Sequence, residues 1–384
     1  MSSGVRVAVV GCGYWGSKHV RVLHTTEGVG AVRLVDGQRS RLDSLARSYP
    51  GIQTFSTLRA ALPHVDAVIV ATPPNSHVAV ALQAIEAGKH VLVEKPLAPT
   101  SAGAQHLINA AERAEVTLMV GHTFEYNPAV WKLRELVQTE ALGKVHYLDS
   151  ARLNLGLYQN DVNVIFDLAP HDVSIINHVL GKSPIAVQAW ASRHAHPRFE
   201  DVAYLRLYYD DPRLSANIHV SWLDPCKVRR VTAVGSKKMV VYDDLAADER
   251  VRIMDKGVSP TVLTDDLTQP PMSYRYGDIM SPYLAPDEPL ALQNRHFAQC
   301  ILDGKQPNTD GRNGLAVVEV LEAAQLSLQL DRPVQLDELS VRIGYEPVPH
   351  DARSVIAPDW VEVTPAPVLA ANGWHGTQSA PAVQ

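Results

Sequence analysis

The residues with most chemistry to offer stand where apolar runs end. In "HVLVEKPLAPT" (90–100), Val91, Leu92 and Val93 pass directly into Glu94, Lys95 and Pro96. Open α/β sheets bind ligands at the carboxyl ends of their strands, so a cation in that position can meet one. Pro96 denies the chain a helical continuation and fixes φ, which holds Lys95 on an extended turn. An ammonium placed there would stabilise negative charge developing on a nearby oxygen. Downstream, Asp167 and His171 stand four positions apart in "DLAPHDVSIINHVLG" (167–181), a spacing that puts both on one helix face within mutual reach. His171 is the candidate general base, because an imidazole titrates near working pH. A neighbouring Lys95 would lower its pKa by like-charge repulsion. Pro170 predicts a regular helix starting close to 170, and Asp172 reads as a first-turn charge complementing the dipole.

A second group lies near the amino terminus. Gly11, Gly13 and Gly16 form G-x-G-x-x-G directly after the β-branched run 5–10 and before helical spacing through Val20 and Leu23. Gly11 permits a tight turn, Gly13 lets backbone approach a pyrophosphate, and Gly16 lets helix and strand pack closely. The phosphates would then meet the unpaired N–H groups of the helix N-terminus. Asp36 closes the next strand, twenty positions after Gly16, where a carboxylate would hydrogen-bond both adenosine ribose hydroxyls. It would also repel a 2′-phosphate, which favours NAD over NADP, a preference softened by Arg33 and Arg39. Tyr14 and Trp15 fill the variable positions of the turn and either pack on the helix or wall a pocket over the pyrophosphate. Glu94 is expected to orient the Lys95 ammonium or to bond a cofactor ribose.

These residues need a scaffold, and the chain supplies two kinds. Over the first 122 residues, strands alternate with helices: "GAVRLVD" (30–36), a helix at 39–50, "VDAVIVATPP" (65–74), a helix at 76–89, "HVLVE" (90–94), a helix at 101–116 and "TLMVGH" (117–122). Such alternation predicts a parallel, doubly wound sheet with helices on both faces. After a helix in "NPAVWKLRELVQTEALG", strand signals recur without helices at 144–155, 184–194, 201–209, 214–223, 227–236, 237–244 and 249–255. They predict a mainly antiparallel sheet, one face covered by the helix after Asp167. Alternation in "YLRLYY" and "IHVSWL" leaves an apolar second face for another subunit, so a homodimer or homotetramer is expected. "YRYGDIMSPYLAPDEPL" (274–290) reads as a Pro- and Tyr-rich loop, 290–330 as helical, and 346–384 as a poorly ordered tail. The expected domains are 1–123, 124–345 and the tail.

With 384 residues, 46% apolar and 20% charged, the chain has the composition of an ordinary globular protein large enough for two cores. A net charge of -6 without a Lys/Arg run excludes nucleic acid and anionic membranes as partners. Cys12, Cys226 and Cys300 are far apart, which argues against disulfides and a structural metal site and for the reducing cytoplasm. A strand starts almost at once after residue 1 and no 18-residue apolar run follows, so neither a signal peptide nor a membrane span is expected.

Together, the glycine turn, "ATPPNSHVAVALQAIEAGKHVLVEKPLA" (71–98), "NPA" (127–129) and "DLAPHD" (167–172) resemble the Gfo/Idh/MocA oxidoreductase family over about residues 4 to 340. E-K-P is the most specific mark. The resemblance implies an α/β chain: an N-terminal Rossmann domain with a doubly wound parallel sheet, then a C-terminal α+β domain with a large, mainly antiparallel open sheet. It implies that Lys95, Asp167 and His171 meet at the nicotinamide, that Thr72, Pro73, His77 and Glu94 join the cofactor site, and that a cis Lys95–Pro96 bond is allowed. "NDVNVIF" (160–166) departs from the glycine pair that often precedes the aspartate. Substrate candidates lining the interdomain cleft are Tyr126, Asn127, Arg152, Asn154, Tyr158 and Asn163, whose hydroxyls, amides and guanidinium suit a polyhydroxylated ring. The 274–290 segment is similar to family members acting on nucleotide-linked sugars, and there Arg275 would meet a diphosphate. The expected reaction is NAD-dependent oxidation, or the reverse reduction, of a ring secondary alcohol, such as C3 of UDP-N-acetylglucosamine in polysaccharide or antibiotic-sugar biosynthesis. An inositol or free aldose dehydrogenase and a non-catalytic NAD sensor are the alternatives.

Overall fold

Short β-branched runs form the first sheet: β1 (Val5–Val10), β2 (Val29–Val35), β3 (Gln53–Phe55), β4 (Ala67–Val70), β5 (His90–Glu94) and β6 (Leu118–Gly121). The computed structural model describes residues 4–159, 161–260 and 272–341, so the expected tail at 346–384 lies outside the described residues. All six strands pair in parallel, in the order β3-β2-β1-β4-β5-β6. Every residue of β4 is fully buried, as expected of a strand with helices on both faces. The connecting helices are α1 (Tyr14–Leu23), α2 (Arg39–Ser48), the single turn α3 (Leu58–Ala61), α4 (His77–Glu86) and α5 (Ser101–Ala114). Strand order reverses between β1 and β4, which opens the ligand crevice of doubly wound sheets at that point. Register matters at the far side of the sheet: Glu94 pairs with Gly121, so Lys95 and His122 leave the carboxyl edge side by side.

The second sheet contains β7 (Val145–Leu155), β8 (Ala186–Ser192), β9 (Val202–Tyr208), β10 (Ser215–Ser221), β11 (Leu223–Gly235), β12 (Met239–Asp243), β13 (Val251–Pro260), β14 (Met272–Met280) and β15 (Val334–Gln335). Their order is β14-β13-β12-β11-β7-β10-β9-β8-β15, antiparallel throughout except where β7 meets β10. One face is covered by α6 (Pro128–Gln138), α7 (Val164–Leu180) and the return helix α9 (Gly311–Leu330), with Leu133, Ile176, Leu207, Ile218 and Leu321 in its core. Helix α9 also sends Val318 into the first sheet's core, and α8 (Pro289–Asp303) sends Phe297 beneath β1. The two return helices therefore tie both layers together through apolar burial.

Three expectations change. Helix α7 begins at Val164 rather than near 170, because Asn163 caps it: its Oδ1 accepts the Phe166 N–H at 3.1 Å. Pro170 sits inside the helix, where it forfeits one backbone donor. The stretch 274–290 is not wholly a loop, since β14 pairs with β13 through Lys256↔Tyr276 and Val258↔Tyr274. Finally, the apolar residues of "YLRLYY" and "IHVSWL" point inward, Leu205, Leu207, Ile218 and Val220 being buried. The outward face mixes Arg206 and Asn217 with an aromatic patch, in which Tyr204 stacks on His219 at 4.0 Å and lies 5.7 Å from Trp190.

Candidate active site

The glycine turn is built by close backbone approach. Gly11 has φ +90, and a Cβ there would meet the Ala71 carbonyl oxygen at 2.6 Å; a Cβ on Gly16 would collide with the Gly11 carbonyl. Gly13 differs: a Cβ would meet nothing within 4 Å, so the space above the turn is open. No side chain caps α1, and its first N–H groups face that space beside the exposed Tyr14 (73%) and Trp15 (38%). This uncapped, open turn fits a dinucleotide pyrophosphate. Asp36, 2% exposed, accepts the Cys12 N–H at 2.8 Å and the Gln38 N–H at 2.7 Å, which ties the end of β2 to the turn. The cation nearest to it is Arg41 at 3.6 Å, while Arg39 pairs with Asp43.

Thr72 and Pro73 follow β4, with Thr72 Oγ1 2.8 Å from Ser76 Oγ. His77 is buried, and its ring nitrogens lie 2.8 Å from the Thr72 and Pro96 carbonyl oxygens. Burial pushes its pKa down, and a neutral ring donates its single N–H to one of these two carbonyls, bridging the β4 exit and the β5 exit. Expected as a cofactor contact, His77 has both nitrogens facing backbone instead. Glu94, at the end of β5, is 5% exposed. Its carboxylate accepts His19 Nε2–H at 2.8 Å and the Lys95 N–H at 3.2 Å, while His19 Nδ1 lies 3.2 Å from Asn294 Oδ1. His19 escaped the sequence reading; it stands three residues beyond Gly16 on α1.

The Lys95–Pro96 peptide is cis, and Lys95 Nζ donates to the Asp167 carbonyl at 2.6 Å, with Asp167 Oδ1 at 3.4 Å. Asp167 Oδ2 accepts the indole N–H of buried Trp222 at 2.9 Å. The carboxylate is thus held by Lys95 and Trp222 rather than by His171, as helix spacing alone had indicated. His171 is half-buried, and its Nδ1 has no hydrogen-bond partner among the described residues. Burial, then Lys95, Arg152, His122 and Arg229, hold its pKa well below the usual 6.5. A neutral imidazole next to an ammonium can accept a proton while the ammonium faces a developing oxyanion.

Of the expected substrate residues, Tyr158 lies with this group, its ring 5.3 Å from that of Trp222. Five others have polar groups engaged within the protein, whereas Asn154 Oδ1 is buried without a hydrogen-bond partner among the described residues. Tyr126, 3% exposed, donates to Thr309 Oγ1 at 3.0 Å, because that hydroxyl itself donates to the Val120 carbonyl. Asn127 caps α6 through Ala129 N–H at 2.9 Å and donates to Tyr242 Oη at 3.0 Å. Asn163 caps α7 and donates to Glu200 and Gln325. Arg152 is buried against Asp172, Nε to Oδ2 at 2.7 Å, and Asp172 also accepts Ser150 Oγ–H at 2.6 Å. Asp172 is therefore a buried counter-ion, not a solvated first-turn charge. Arg152 still reaches the site indirectly: its guanidinium lies 4.6 Å over Phe124, whose ring meets that of His171 at 5.1 Å. Arg275 is remote, bonded to Asp255 at 2.9 Å and to the Lys237 carbonyl on the outer hairpin. A cavity of about 670 Å³ lined by His90, Thr117, Lys305 and Arg312 opens at the amino-terminal sheet edge and includes none of the site residues.

Comparison with known proteins agrees with this geometry. A family model described as "Oxidoreductase family, NAD-binding Rossmann fold" matches residues 5–122, and the "GFO/IDH/MocA C-terminal domain" matches 130–241. D-apiose dehydrogenase of Paraburkholderia graminis is 26% identical over 349 residues, covering 86% of this chain and 90% of that one. UDP-N-acetylglucosamine 3-dehydrogenase of Acidithiobacillus ferrooxidans is 31% identical over 186 residues, 48% of this chain and 57% of that one. The structure of GenD2 from gentamicin A biosynthesis, in complex with NAD, superposes with a TM-score of 0.74 at 28% identity, covering 87% of this chain and 97% of that one. Among the described residues, no helix is long and apolar enough to cross a membrane. A parallel dinucleotide-binding sheet, an open glycine turn and two matching family models make this chain a member of the Gfo/Idh/MocA oxidoreductases, a nicotinamide-dependent dehydrogenase acting on CH–OH groups.

Proposed function

We propose that the enzyme uses NAD to oxidise a ring secondary alcohol of a sugar, C3 of a nucleotide sugar such as UDP-N-acetylglucosamine. The observation that carries this reading is the convergence of Lys95, Asp167 and His171 at the carboxyl edge of the sheet, with Lys95 Nζ 2.6 Å from the Asp167 carbonyl. Bound nicotinamide supplies the hydride acceptor. His171, neutral because burial and nearby cations depress its pKa, takes the hydroxyl proton. Lys95, anchored by Asp167, presents its ammonium to the alkoxide that develops. Trp222 fixes the other Asp167 oxygen, so the lysine's anchor is set before substrate binds. Tyr158, beside Trp222, offers a ring face to the sugar. The turn residues Gly11, Gly13, Tyr14, Trp15 and Gly16 receive the dinucleotide. Asp36, its oxygens fixed by backbone N–H groups, disfavours a 2′-phosphate and supports NAD over NADP.

The 31% identity to the UDP-N-acetylglucosamine enzyme supports the nucleotide-sugar class. In this reading residues 1–123 bind cofactor and 124–345 bind substrate, the outward aromatic patch of the second sheet meets another subunit, and the enzyme works in the cytoplasm. NADH formation over a panel of UDP-sugars, inositols and free aldoses, with NAD and with NADP, tests it. UDP-N-acetylglucosamine with NAD should give a kcat/KM at least about tenfold above any inositol or aldose. An inositol or aldose preferred over every UDP-sugar would overturn the substrate class. Tight NAD binding without turnover of any polyol would overturn the catalytic reading in favour of a cofactor sensor.

A further inference from the structure

A general base works only while its ring points at the proton it takes. Histidines in that role are commonly held through their second nitrogen by a carboxylate or a backbone carbonyl. His171 is held otherwise, since its Nδ1 is buried without a hydrogen-bond partner among the described residues. The charged groups acting on it are Lys95 after β5, His122 after β6, Arg152 on β7 and Arg229 on β11, with Asp167 and Asp172 on its own helix. Both acids are committed: Asp167 to Lys95 and Trp222, Asp172 to Arg152 and Ser150. What the imidazole does meet is an aromatic ring. Phe124 lies 5.1 Å from it, centroid to centroid, with the planes 72° apart. That is the edge-to-face arrangement aromatic pairs prefer.

Phe124 is itself fixed. It belongs to the 3-10 turn Thr123–Tyr126 that follows β6, and the turn is pinned on either side of it. Thr123 Oγ1 donates to Gln293 Oε1 at 2.8 Å, while Tyr126 bonds Thr309. The Arg152 guanidinium covers the Phe124 ring at 4.6 Å. Arg152 cannot swing away, because it forks onto Asp172, Nε to Oδ2 at 2.7 Å and Nη2 to Oδ1 at 3.2 Å, and both side chains are buried. Asp172 is the next residue after His171 on α7. A closed circuit of contacts therefore runs from the base through Phe124 and Arg152 back to the helix that carries the base.

We propose that Phe124 is a positioning residue: clamped by Arg152, its ring holds the His171 imidazole in the orientation that receives the substrate proton, the task a hydrogen bond to Nδ1 performs elsewhere. This inference rests on the reading of His171 as the base. The test compares the unaltered enzyme with Phe124→Leu, Phe124→Tyr and His171→Ala on the best substrate of the panel above, with NADH affinity as the measure of fold and cofactor binding. Phe124→Leu keeps an apolar side chain but loses the ring. It should lower kcat about tenfold or more, with KM within about threefold and NADH affinity within about twofold. Burial is the chief influence keeping the imidazole neutral, so water admitted beside the smaller side chain should also move the acid limb of the kcat profile upward, towards pH 6.5. Phe124→Tyr restores the ring and should recover most of the loss. An unchanged kcat and acid limb in Phe124→Leu, a loss as deep in Phe124→Tyr, or a loss that tracks NADH affinity would overturn the positioning role. Full turnover by His171→Ala would overturn the base reading and this inference together, whereas a disabled His171→Ala beside a fully active Phe124→Leu overturns this one alone.

Discussion

The glycine turn and the reaction cluster share one sheet edge but differ in how they are held. Gly11, Gly13 and Gly16 lie within six positions of one another, and their geometry follows from backbone approaching backbone at Ala71 and within the turn itself. Lys95 and Asp167 are 72 residues apart, Asp167 and Trp222 another 55, and side-chain hydrogen bonds across two sheets bring them together. The turn is therefore sensitive to added volume, and the cluster to lost polar partners and to protons.

Volume gives the largest expected effect. Gly16→Ala forces a Cβ into the Gly11 carbonyl, and thermal unfolding should show a loss on the order of 3 kcal/mol, with NADH binding abolished. Gly13→Ala meets nothing in the free protein, so its unfolding temperature should hold within about 2 °C while NADH binding weakens about tenfold or more, because the added methyl stands where the pyrophosphate approaches. Equal stability losses in the two variants would erase the distinction between a packing glycine and a ligand glycine.

Protons come next. The base form of His171 persists below pH 6.5, so the acid limb of the kcat/KM profile should have its midpoint below 6.5 and be flat above it. Stability follows the same sign. The pKa values of His77, His122 and His171 are all lowered by burial, so the unfolded chain takes up protons near 6.5 that the folded one refuses. Stability is full above about pH 6.5 and falls as pH drops below it. An acid limb centred above 6.5 would contradict the environment described for His171. Smallest is the effect at the outer hairpin: Arg275→Ala should leave kcat/KM for UDP-sugars within about twofold, because its guanidinium is committed to Asp255 and Lys237 far from the cluster.

The same contrast decides what can be read from the amino-acid sequence. The alternating first sheet, the turn and the placing of Lys95 at a strand exit are legible, because each depends on residues adjacent in the chain. The start of α7 is not: Asn163 looks like any loop residue until Phe166 N–H is found on its side chain. Tyr126 and Arg275 mislead for a shared reason. A polar residue near an expected cleft does not reveal that Thr309 or Asp255 already occupies its polar atoms. Trp222 and Phe124 leave no local signal, since their roles exist only through partners distant in sequence.

In the proposed mechanism Lys95 and His171 act on the reacting alcohol rather than on cofactor binding. Single-turnover NADH formation by Lys95→Ala and His171→Ala at saturating NAD, measured beside NADH affinity, tests it most directly. Hydride transfer should slow about 10²- to 10⁴-fold in each variant, with NADH affinity within about twofold of the unaltered enzyme. Transfer at an unchanged rate, or a loss that merely tracks lost NADH binding, would contradict it.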